Sequence, residues 1–318
     1  MEHNMGKANL AVFSETLESL ASASRDLVVV TSDSRGSGKL LGFAQRYPDQ
    51  LVEVGIAEQN LVGISAGLAS CGKTVFAVSP ACFLTARALE HIKNDVAYSN
   101  NPVKLVGISA GVSYGPLGST HHSLHDLAAL RAINNMVVCA PADNFETREA
   151  VRQSAMLDCP VYLRFGKRPM PLLPEDVPFA FGKGRLLRTG NSVAVVATGE
   201  TVHPAMEAAD YLRSTLGLEA SVVSMHTVKP LDTDLLMDIA AMGCPIVTIE
   251  EHSRYGGLGE ACAGFLMQHG FSNRFKMMGI PDEYTVTGSQ QEIFDYYGLN
   301  AKGIVREVTA LLPEMKDS

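Results

Sequence analysis

The sequence predicts an α/β protein of two domains, each built on a mostly parallel sheet with helices packed against it. Short apolar runs rich in valine and isoleucine alternate with longer helical segments throughout the 318-residue chain, which is typical of parallel sheets. Four prolines between residues 169 and 178 interrupt this alternation, because proline continues neither a helix nor a central strand. We therefore expect a first domain over residues 1–168, a linker over 169–188 and a second domain over 189–318.

Strands are expected wherever a short apolar run is rich in β-branched residues. The predicted strands of the first domain span residues 27–31, 51–54, 74–78, 103–108, 136–139 and 161–164. Those of the second domain span residues 192–197, 220–223, 246–249 and 275–278, and two helices over 290–297 and 301–312 complete it.

Composition excludes several functional classes. A formal net charge of −8 and a pI near 5.6 give no basic surface for nucleic acid. No apolar run reaches the roughly 18 residues that span a bilayer, and the N-terminal residues lack an apolar signal core. Six cysteines without a Cys-x-x-Cys pair are typical of free thiols in a reducing compartment. We expect a cytoplasmic protein that binds neither nucleic acid nor membrane.

One carboxylate is notable for its position between two predicted elements. Glu58 follows the strand predicted over 51–54 and precedes residues 61–72, which are small, apolar and helical in character. We expect partial desolvation there, which raises a carboxyl pKa and suits proton exchange with a ligand nitrogen. The alternative is a structural acid that interacts favourably with the positive end of the helix dipole.

The segment around Glu58 resembles a known motif. Residues 55–59 read Gly-Ile-Ala-Glu-Gln, which is similar to the cofactor-activating motif of the thiamine-diphosphate family that contains transketolase and deoxyxylulose-phosphate synthase. In that family the glutamate bonds the aminopyrimidine of the cofactor and drives formation of the reactive ylid. The second half resembles the transketolase C-terminal domain over residues 229–232, 249–253, 256–260 and 279–283. The resemblance covers nearly the whole chain and implies a pyrimidine-binding domain followed by that C-terminal domain.

The resemblance also indicates that a partner subunit is needed. Full-length members carry a preceding domain with a Gly-Asp-Gly motif and an Asn-Asn pair, and this domain holds Mg²⁺ against the diphosphate. The present sequence contains no Gly-Asp-Gly, and we interpret its two Asn-Asn pairs, at 100–101 and 134–135, as turn residues. We therefore expect the C-terminal subunit of a split transketolase, self-associated in an α2β2 assembly with an N-terminal subunit, and no metal ligand in this chain.

The resemblance assigns two more residues near the cofactor. Phe83 takes the place of an aromatic residue that stacks on the aminopyrimidine, for which a flat ring is suited, although a core phenylalanine is the alternative. His121 takes the place of a histidine that bonds the oxygens of the donor substrate. The rival interpretation is a metal site, since His121 and His125 are four residues apart and His122 lies between them.

Four further residues carry expectations about the cofactor and substrate. Asp33 matches a family aspartate near the cofactor, Ser37 a serine that contacts substrate phosphate, and Arg164 an arginine that binds the same phosphate. Leu117 stands where the family has an aspartate on the acceptor side, and two other phosphate contacts are replaced by Ser109 and by a leucine at position 10. We therefore expect a diverged sugar substrate.

The resemblance thus implies transfer of a two-carbon ketol unit from a ketose or ketose phosphate to an aldose. A decarboxylative enzyme is the first alternative, either like deoxyxylulose-phosphate synthase or like the β subunit of a 2-oxoacid dehydrogenase. A non-catalytic scaffold subunit is the second, and the joint presence of Glu58, Phe83, His121 and Arg164 argues against it.

Overall fold

The computed structural model describes residues 4–312; the outermost residues of the two predicted domains, 1–3 and 313–318, lie outside that range. Its strands are β1 Met5–Ala8, β2 Leu27–Thr31, β3 Leu51–Glu53, β4 Thr74–Pro80, β5 Lys104–Ile108, β6 Val137–Cys139, β7 Val161–Arg164, β8 Pro169–Pro171, β9 Arg185–Arg188, β10 Val193–Ala197, β11 Ala220–Ser224, β12 Thr227–Lys229, β13 Ile246–Ser253 and β14 Phe275–Ile280. Its α-helices are α1 Asn9–Ala23, α2 Leu41–Arg46, α3 Glu58–Ser70, α4 Ala81–Arg87, α5 Leu89–His91, α6 Asp126–Ala132, α7 Asn144–Met156, α8 Val202–Leu216, α9 Thr233–Ala241, α10 Leu258–Gln268, α11 Gln290–Tyr297 and α12 Ala301–Leu311.

The first sheet has the strand order β12-β6-β7-β5-β4-β2-β3. Neighbouring strands are parallel except β12, which pairs antiparallel with β6. Because β12 comes from the second half of the chain, the two halves share this sheet. The second sheet has the order β14-β13-β10-β11-β9, parallel except for the antiparallel edge strand β9. Two mostly parallel sheets covered by helices confirm the predicted fold class.

The segment predicted as a linker contains two strands. β8 pairs with β1 in a separate two-stranded sheet, and β9 belongs to the second sheet. The prolines of β8 are tolerated because this small sheet presents only edges. Residues between β8 and β9 thus connect two elements that are each fixed to a different part of the molecule.

Helix α3 packs on the first sheet through small residues. Val62, Ala66 and Ala69 are buried in the same core cluster as Val75 and Ala77 of β4. Short side chains let the helix lie close to the sheet, which fixes the position of its first residue, Glu58. On the other face of the sheet a cluster of larger side chains includes Phe13, Phe76 and Phe165.

Within residues 4–312, no helix combines the length and the apolar character that crossing a bilayer requires. The six cysteines are all unpaired, and four of them are buried: Cys82, Cys139, Cys244 and Cys262.

Candidate active site

Glu58 is the first residue of α3 and is almost completely buried, with 4% of its surface exposed. Gly55, at φ +71°, makes the turn between β3 and this helix in a conformation that favours glycine. The carboxylate accepts two hydrogen bonds from Nη1 of Arg87, at 3.0 and 3.1 Å. The strand-to-helix junction predicted for Glu58 is confirmed, and its partner, which no local pattern predicts, is an arginine at the end of α4.

Arg87 also covers the ring of Phe83. Its guanidinium carbon lies 4.4 Å from the ring centroid, and its side chain is 52% exposed. Both residues lie on α4, which begins directly after β4 at Ala81. Because parallel strands end at the same edge of a sheet, this places Phe83 beside Glu58. Burial raises the pKa of the neighbouring Cys82 thiol to about 11, so this cysteine is no nucleophile.

His121 meets the same cluster from a different element. Its ring lies 5.3 Å from that of Phe83 and 5.4 Å from that of Tyr114, in edge-to-face arrangements. Thr120 Oγ1 is 3.0 Å from Nδ1 of His121. The side chains of Glu58, Arg87, Phe83 and His121 therefore form one continuous series of contacts, which brings together three of the residues that sequence analysis singled out.

His121 is carried by a segment that we call the histidine loop, residues 111–123. The loop closes on itself, since the amide of Ser123 donates to the carbonyl of Gly111 at 2.8 Å. On its outer side, Nζ of Lys167 lies 4.6 Å above the ring of Tyr114. Leu117, the residue expected on the acceptor side, is 55% exposed on this loop.

His122 does not contact the side chains of Glu58, Arg87 and Phe83 that lie around His121. It is buried, with Nδ1 2.6 Å from the hydroxyl of Thr285 and Nε2 3.0 Å from the carbonyl of Gly115. Burial lowers the pKa of His122, which favours the neutral ring. Because both ring nitrogens are engaged by protein groups, this geometry does not support a metal centre at 121–125. Among residues 4–312, no group of three or more histidine, cysteine or acidic side chains is placed to hold a metal ion.

Arg164 lies between the two domains. Its Nε donates to Asp126 at 2.8 Å, and Nη2 donates to the carbonyls of Ser123 and Glu251 at 3.1 and 2.8 Å. Only 7% of Arg164 is exposed, and Asp126 is fully buried. These contacts favour a structural part for Arg164 over the phosphate contact expected from the sequence, which stays a prediction. The ion pair between Arg164 and Asp126 could not be recognised from the sequence.

Asp33 and Ser37 lie in the segment that follows β2. Asp33 is exposed, at φ +50°, and its amide donates to Oε1 of Glu53 at 2.7 Å. The same oxygen accepts from the amide of Gly55 at 3.0 Å. Glu53, which sequence analysis did not single out, therefore ties the Asp33 turn to the segment before Glu58. Ser37 donates only a long hydrogen bond, 3.3 Å, to the carbonyl of Ser34.

Buried carboxylates of the second domain border the histidine loop. Glu251, on β13, accepts from the amide of Val112 at 2.9 Å and from Gln290 at 2.8 Å, and Gln290 also donates to Glu200 at 2.8 Å. Burial, followed by the charge of Glu200, raises the pKa of Glu251 to about 7. The neighbouring Glu250 accepts from two amides at the start of α10, and burial raises its pKa to about 7. Glu251 therefore holds backbone of the first domain at the junction, whereas Glu250 holds the first turn of α10.

Comparisons with known proteins agree over nearly the whole chain. Residues 6–171 match the family model of the transketolase pyrimidine-binding domain, and residues 182–304 match that of the transketolase C-terminal domain. The chain is 46% identical to a subunit of the apulose-4-phosphate transketolase of Phocaeicola vulgatus, covering 92% of this chain and 94% of that protein.

Two further relatives differ in how much of their length is matched. A solved split-gene transketolase, an inactive β4 tetramer, is 35% identical with a TM-score of 0.86, and the match covers 96% of this chain and 98% of that one. The 1-deoxy-D-xylulose-5-phosphate synthase of Nitrosococcus oceani is 37% identical, but the match covers 96% of this chain and only 48% of that protein. The chain thus has the length of a transketolase subunit and about half the length of the synthase.

Proposed function

Because the chain belongs to the transketolase family, we propose that it is the C-terminal subunit of a two-chain transketolase. With its partner it transfers a two-carbon ketol unit from a ketose to an aldose. The observation that carries this proposal is the contact series Glu58, Arg87, Phe83 and His121. It places an acid, a flat ring and an imidazole side by side, in a chain that matches the Phocaeicola vulgatus subunit over nearly its full length.

The site residues fit the pyrimidine half of thiamine diphosphate, the cofactor on which the family depends. A nearly buried carboxylate is suited to hold a proton shared with a ring nitrogen, and a half-buried phenyl ring offers a flat apolar surface. When bound, the cofactor would supply a thiazolium carbon as the nucleophile toward the donor carbonyl. In this proposal the diphosphate and its Mg²⁺ are held mainly by a separate N-terminal subunit.

The chain's own residues have distinct tasks in this mechanism. Glu58 holds the proton at the pyrimidine nitrogen, and Phe83 orients that ring. His121 donates a hydrogen bond from a ring N–H to a substrate oxygen. The half-exposed guanidinium of Arg87 would have to leave Glu58 for this carboxylate to bond a pyrimidine nitrogen. Asp33 lies on the same edge, linked to the Glu58 segment through Glu53.

The anionic end of a sugar phosphate needs cations that are free to bind it. Arg164 is engaged by groups between the domains, whereas Lys167 is exposed above the ring of Tyr114 and Lys39 is exposed in the segment after β2. Burial, followed by the positive charge of Lys39, lowers the pKa of Lys167, which is consistent with the two ammonium groups lying near each other. A phosphate between them relieves the repulsion of these like charges, so we assign the anion contact to Lys167 and Lys39, with Ser37 on the same loop as Lys39.

Assembly with a partner subunit completes the proposal. We expect an α2β2 heterotetramer in the cytoplasm, in which Glu58 reaches a cofactor bound between unlike chains. The inactive β4 tetramer of the split-gene relative supports self-association of chains of this type. A decarboxylative synthase is the rival, and the higher identity to the transketolase subunit, 46% against 37% for the synthase, favours ketol transfer.

Reconstitution tests the proposal. The purified chain, supplied with Mg²⁺ and thiamine diphosphate, should show no ketol transfer, and adding the subunit that carries the Gly-Asp-Gly motif should create it. Glu58→Gln is the inactive control in the mixture, and Glu90→Gln, an exposed acid on α5, is its matched active control. Turnover by this chain alone would overturn the two-subunit assignment. Release of CO₂ from pyruvate by the mixture, without ketol transfer, would favour the synthase-like reaction.

A further inference from the structure

The second domain contacts the histidine loop at its base and at its middle. We propose that it positions His121, and that Thr285 and Glu251 are the positioning residues; this inference rests on the proposed function. Thr285 lies between β14 and α11, and Glu251 lies on β13. Neither residue belongs to the contact series around Glu58.

The base of the loop is fixed by backbone hydrogen bonds to the second domain. Oε1 of Glu251 accepts from the amide of Val112 at 2.9 Å. Gly111 adopts φ +62°, and a Cβ at this position would lie 2.2 Å from the carboxyl carbon of Glu251. Immediately beyond the loop, the amide of Ser253 donates to the carbonyl of Leu124 at 3.1 Å. Both ends of the loop are therefore set by strand β13.

The middle of the loop is held through His122, and the hydrogen-bond directions follow from the partners. A carbonyl only accepts, so Nε2 of His122 donates to Gly115 and carries the proton of the neutral ring. Nδ1 must then accept from the hydroxyl of Thr285, which lies 2.6 Å away. Because its own proton is used, the Thr285 oxygen is left to accept from Ser119, 3.0 Å away. Thr285 thus links His122 and Ser119 on either side of His121.

The histidine loop also lies too close to residues 285–288 of the second domain to shift toward them. A Cβ on Gly115, which has φ +50°, would lie 2.6 Å from the carbonyl oxygen of Gly288. A Cβ on Gly118 would lie 3.0 Å from the methyl group of Thr287. The glycines permit this close approach, and the segment 285–288 therefore acts as a rigid backing behind the loop.

His121 itself projects away from this backing toward Phe83 and Tyr114. Its backbone is adjacent to His122, whose ring is fixed at both nitrogens. A displacement of about 1 Å in a group that contacts reacting atoms reduces rates up to roughly a hundredfold. The second domain consequently contributes to catalysis without touching the substrate.

Thr285→Val tests the inference, with Thr285→Ser as the conservative rescue. The matched control is Thr227→Val, because Thr227 makes the same kind of buried threonine–histidine contact, 3.0 Å to Nδ1 of His226, away from the loop. In the reconstituted enzyme we expect Thr285→Val to lower kcat roughly tenfold or more with little change in KM. Thr285→Ser and Thr227→Val should retain kcat.

Amide hydrogen exchange of the isolated chain provides a readout that needs no partner, cofactor or activity. Peptides covering residues 111–123 should exchange faster in Thr285→Val and at the wild-type rate in Thr227→Val. If the wild-type mixture shows no ketol transfer, the proposed function fails, and the loop measurement still decides whether Thr285 holds the loop.

Three results would overturn the proposal that Thr285 positions His121. They are unchanged hydrogen exchange of the histidine loop in Thr285→Val, faster exchange of the loop with unchanged kcat, or an equal loss of kcat in Thr227→Val. If Thr285→Val does not fold, His122→Leu and His122→Gln replace it. Glutamine can still accept from Thr285 and donate to Gly115, so it should keep kcat, whereas leucine should lose it. Equal kcat in these two variants would also overturn the inference.

Discussion

Replacing Arg164 tests whether this residue stabilises the fold or binds the phosphate of the substrate. Arg164→Ala removes the guanidinium partner of Asp126, which is fully buried and would keep one hydrogen bond, from the hydroxyl of Tyr162 at 2.7 Å, with Nε2 of His252 3.8 Å from its other oxygen. It also leaves the carbonyls of Ser123 and Glu251 without the guanidinium that bonds them. Breaking a buried ion pair by removing one partner costs about 3–5 kcal/mol.

The expected change in melting temperature follows from the length of the chain. An unfolding entropy of about 2.1 cal/mol/K per residue gives roughly 0.7 kcal/mol/K for 318 residues. A loss of 3–5 kcal/mol therefore lowers the melting temperature by roughly 4–8 °C. Thermal unfolding of the isolated chain measures this without any ligand.

Lys167→Ala is the matched comparison, because it removes an exposed cation next to Tyr114. It should melt within about 1 °C of wild type. In the reconstituted enzyme it should raise KM for phosphorylated donors, and loss of a charge-assisted contact of about 2 kcal/mol corresponds to roughly thirtyfold. The reasoning is refuted if Arg164→Ala melts like wild type and selectively weakens phosphorylated donors while Lys167→Ala does neither.

Four further predictions concern single residues. Glu58→Gln should slow exchange of the cofactor's thiazolium proton about a hundredfold or more in the reconstituted complex and weaken cofactor binding much less; near-wild-type exchange contradicts the role of Glu58. Arg87→Gln should strengthen cofactor binding by up to about fivefold, since a half-exposed ion pair holds Glu58 by about 1 kcal/mol or less; weaker binding would mean that Arg87 contacts the ligand. Glu251→Gln should gain melting temperature relative to wild type as pH rises from 4.5 to 7, because over that range the unfolded wild-type chain loses the Glu251 proton that the folded chain, with a pKa of about 7, retains; a constant difference refutes the shift. Leu117→Asp should shift the ratio of acceptor specificity constants toward ribose 5-phosphate, because leucine leaves a substrate hydroxyl without a partner at a cost of roughly 1–3 kcal/mol; an unchanged ratio means that Leu117 does not line the acceptor channel.

Local sequence was sufficient for the elements that position Glu58. The apolar runs of β2, β3 and β4 are flanked by segments with helical composition, so the strands were predictable, whereas the helix expected over 61–72 begins three residues earlier, at Glu58. Short strands that have no periodic sequence pattern could not be predicted in the same way. β12 is only three residues long, and its place beside β6 depends on contacts between distant parts of the chain. β8 contains two prolines, which in isolation argue against a strand.

The candidate site shows the same division between local and distant information. A local motif identifies Glu58. The roles of Arg164 and His122, in contrast, depend on contacts with residues that are distant in the sequence. All four residues of β7 are buried, so strand periodicity cannot show whether Arg164 faces a ligand or a buried acid. Thr285 and His122 are separated by 163 residues, and no local pattern predicts their hydrogen bond. The roles of Arg164 and His122 follow from tertiary contacts, which composition does not reveal.

The pairing of β12 with β6 has a consequence for synthesis of the chain. Residues 1–168 leave the ribosome before residues 227–229, so the first sheet is made with the outer edge of β6 uncovered. An open strand edge is a template for pairing with other chains, and incompletely folded domains are prone to aggregation. A fragment that stops at residue 168 should therefore be poorly soluble even though it contains Glu58, Phe83 and His121. We therefore expect the smallest autonomous folding unit of this protein to include β12, the strand that its second domain contributes to the first sheet.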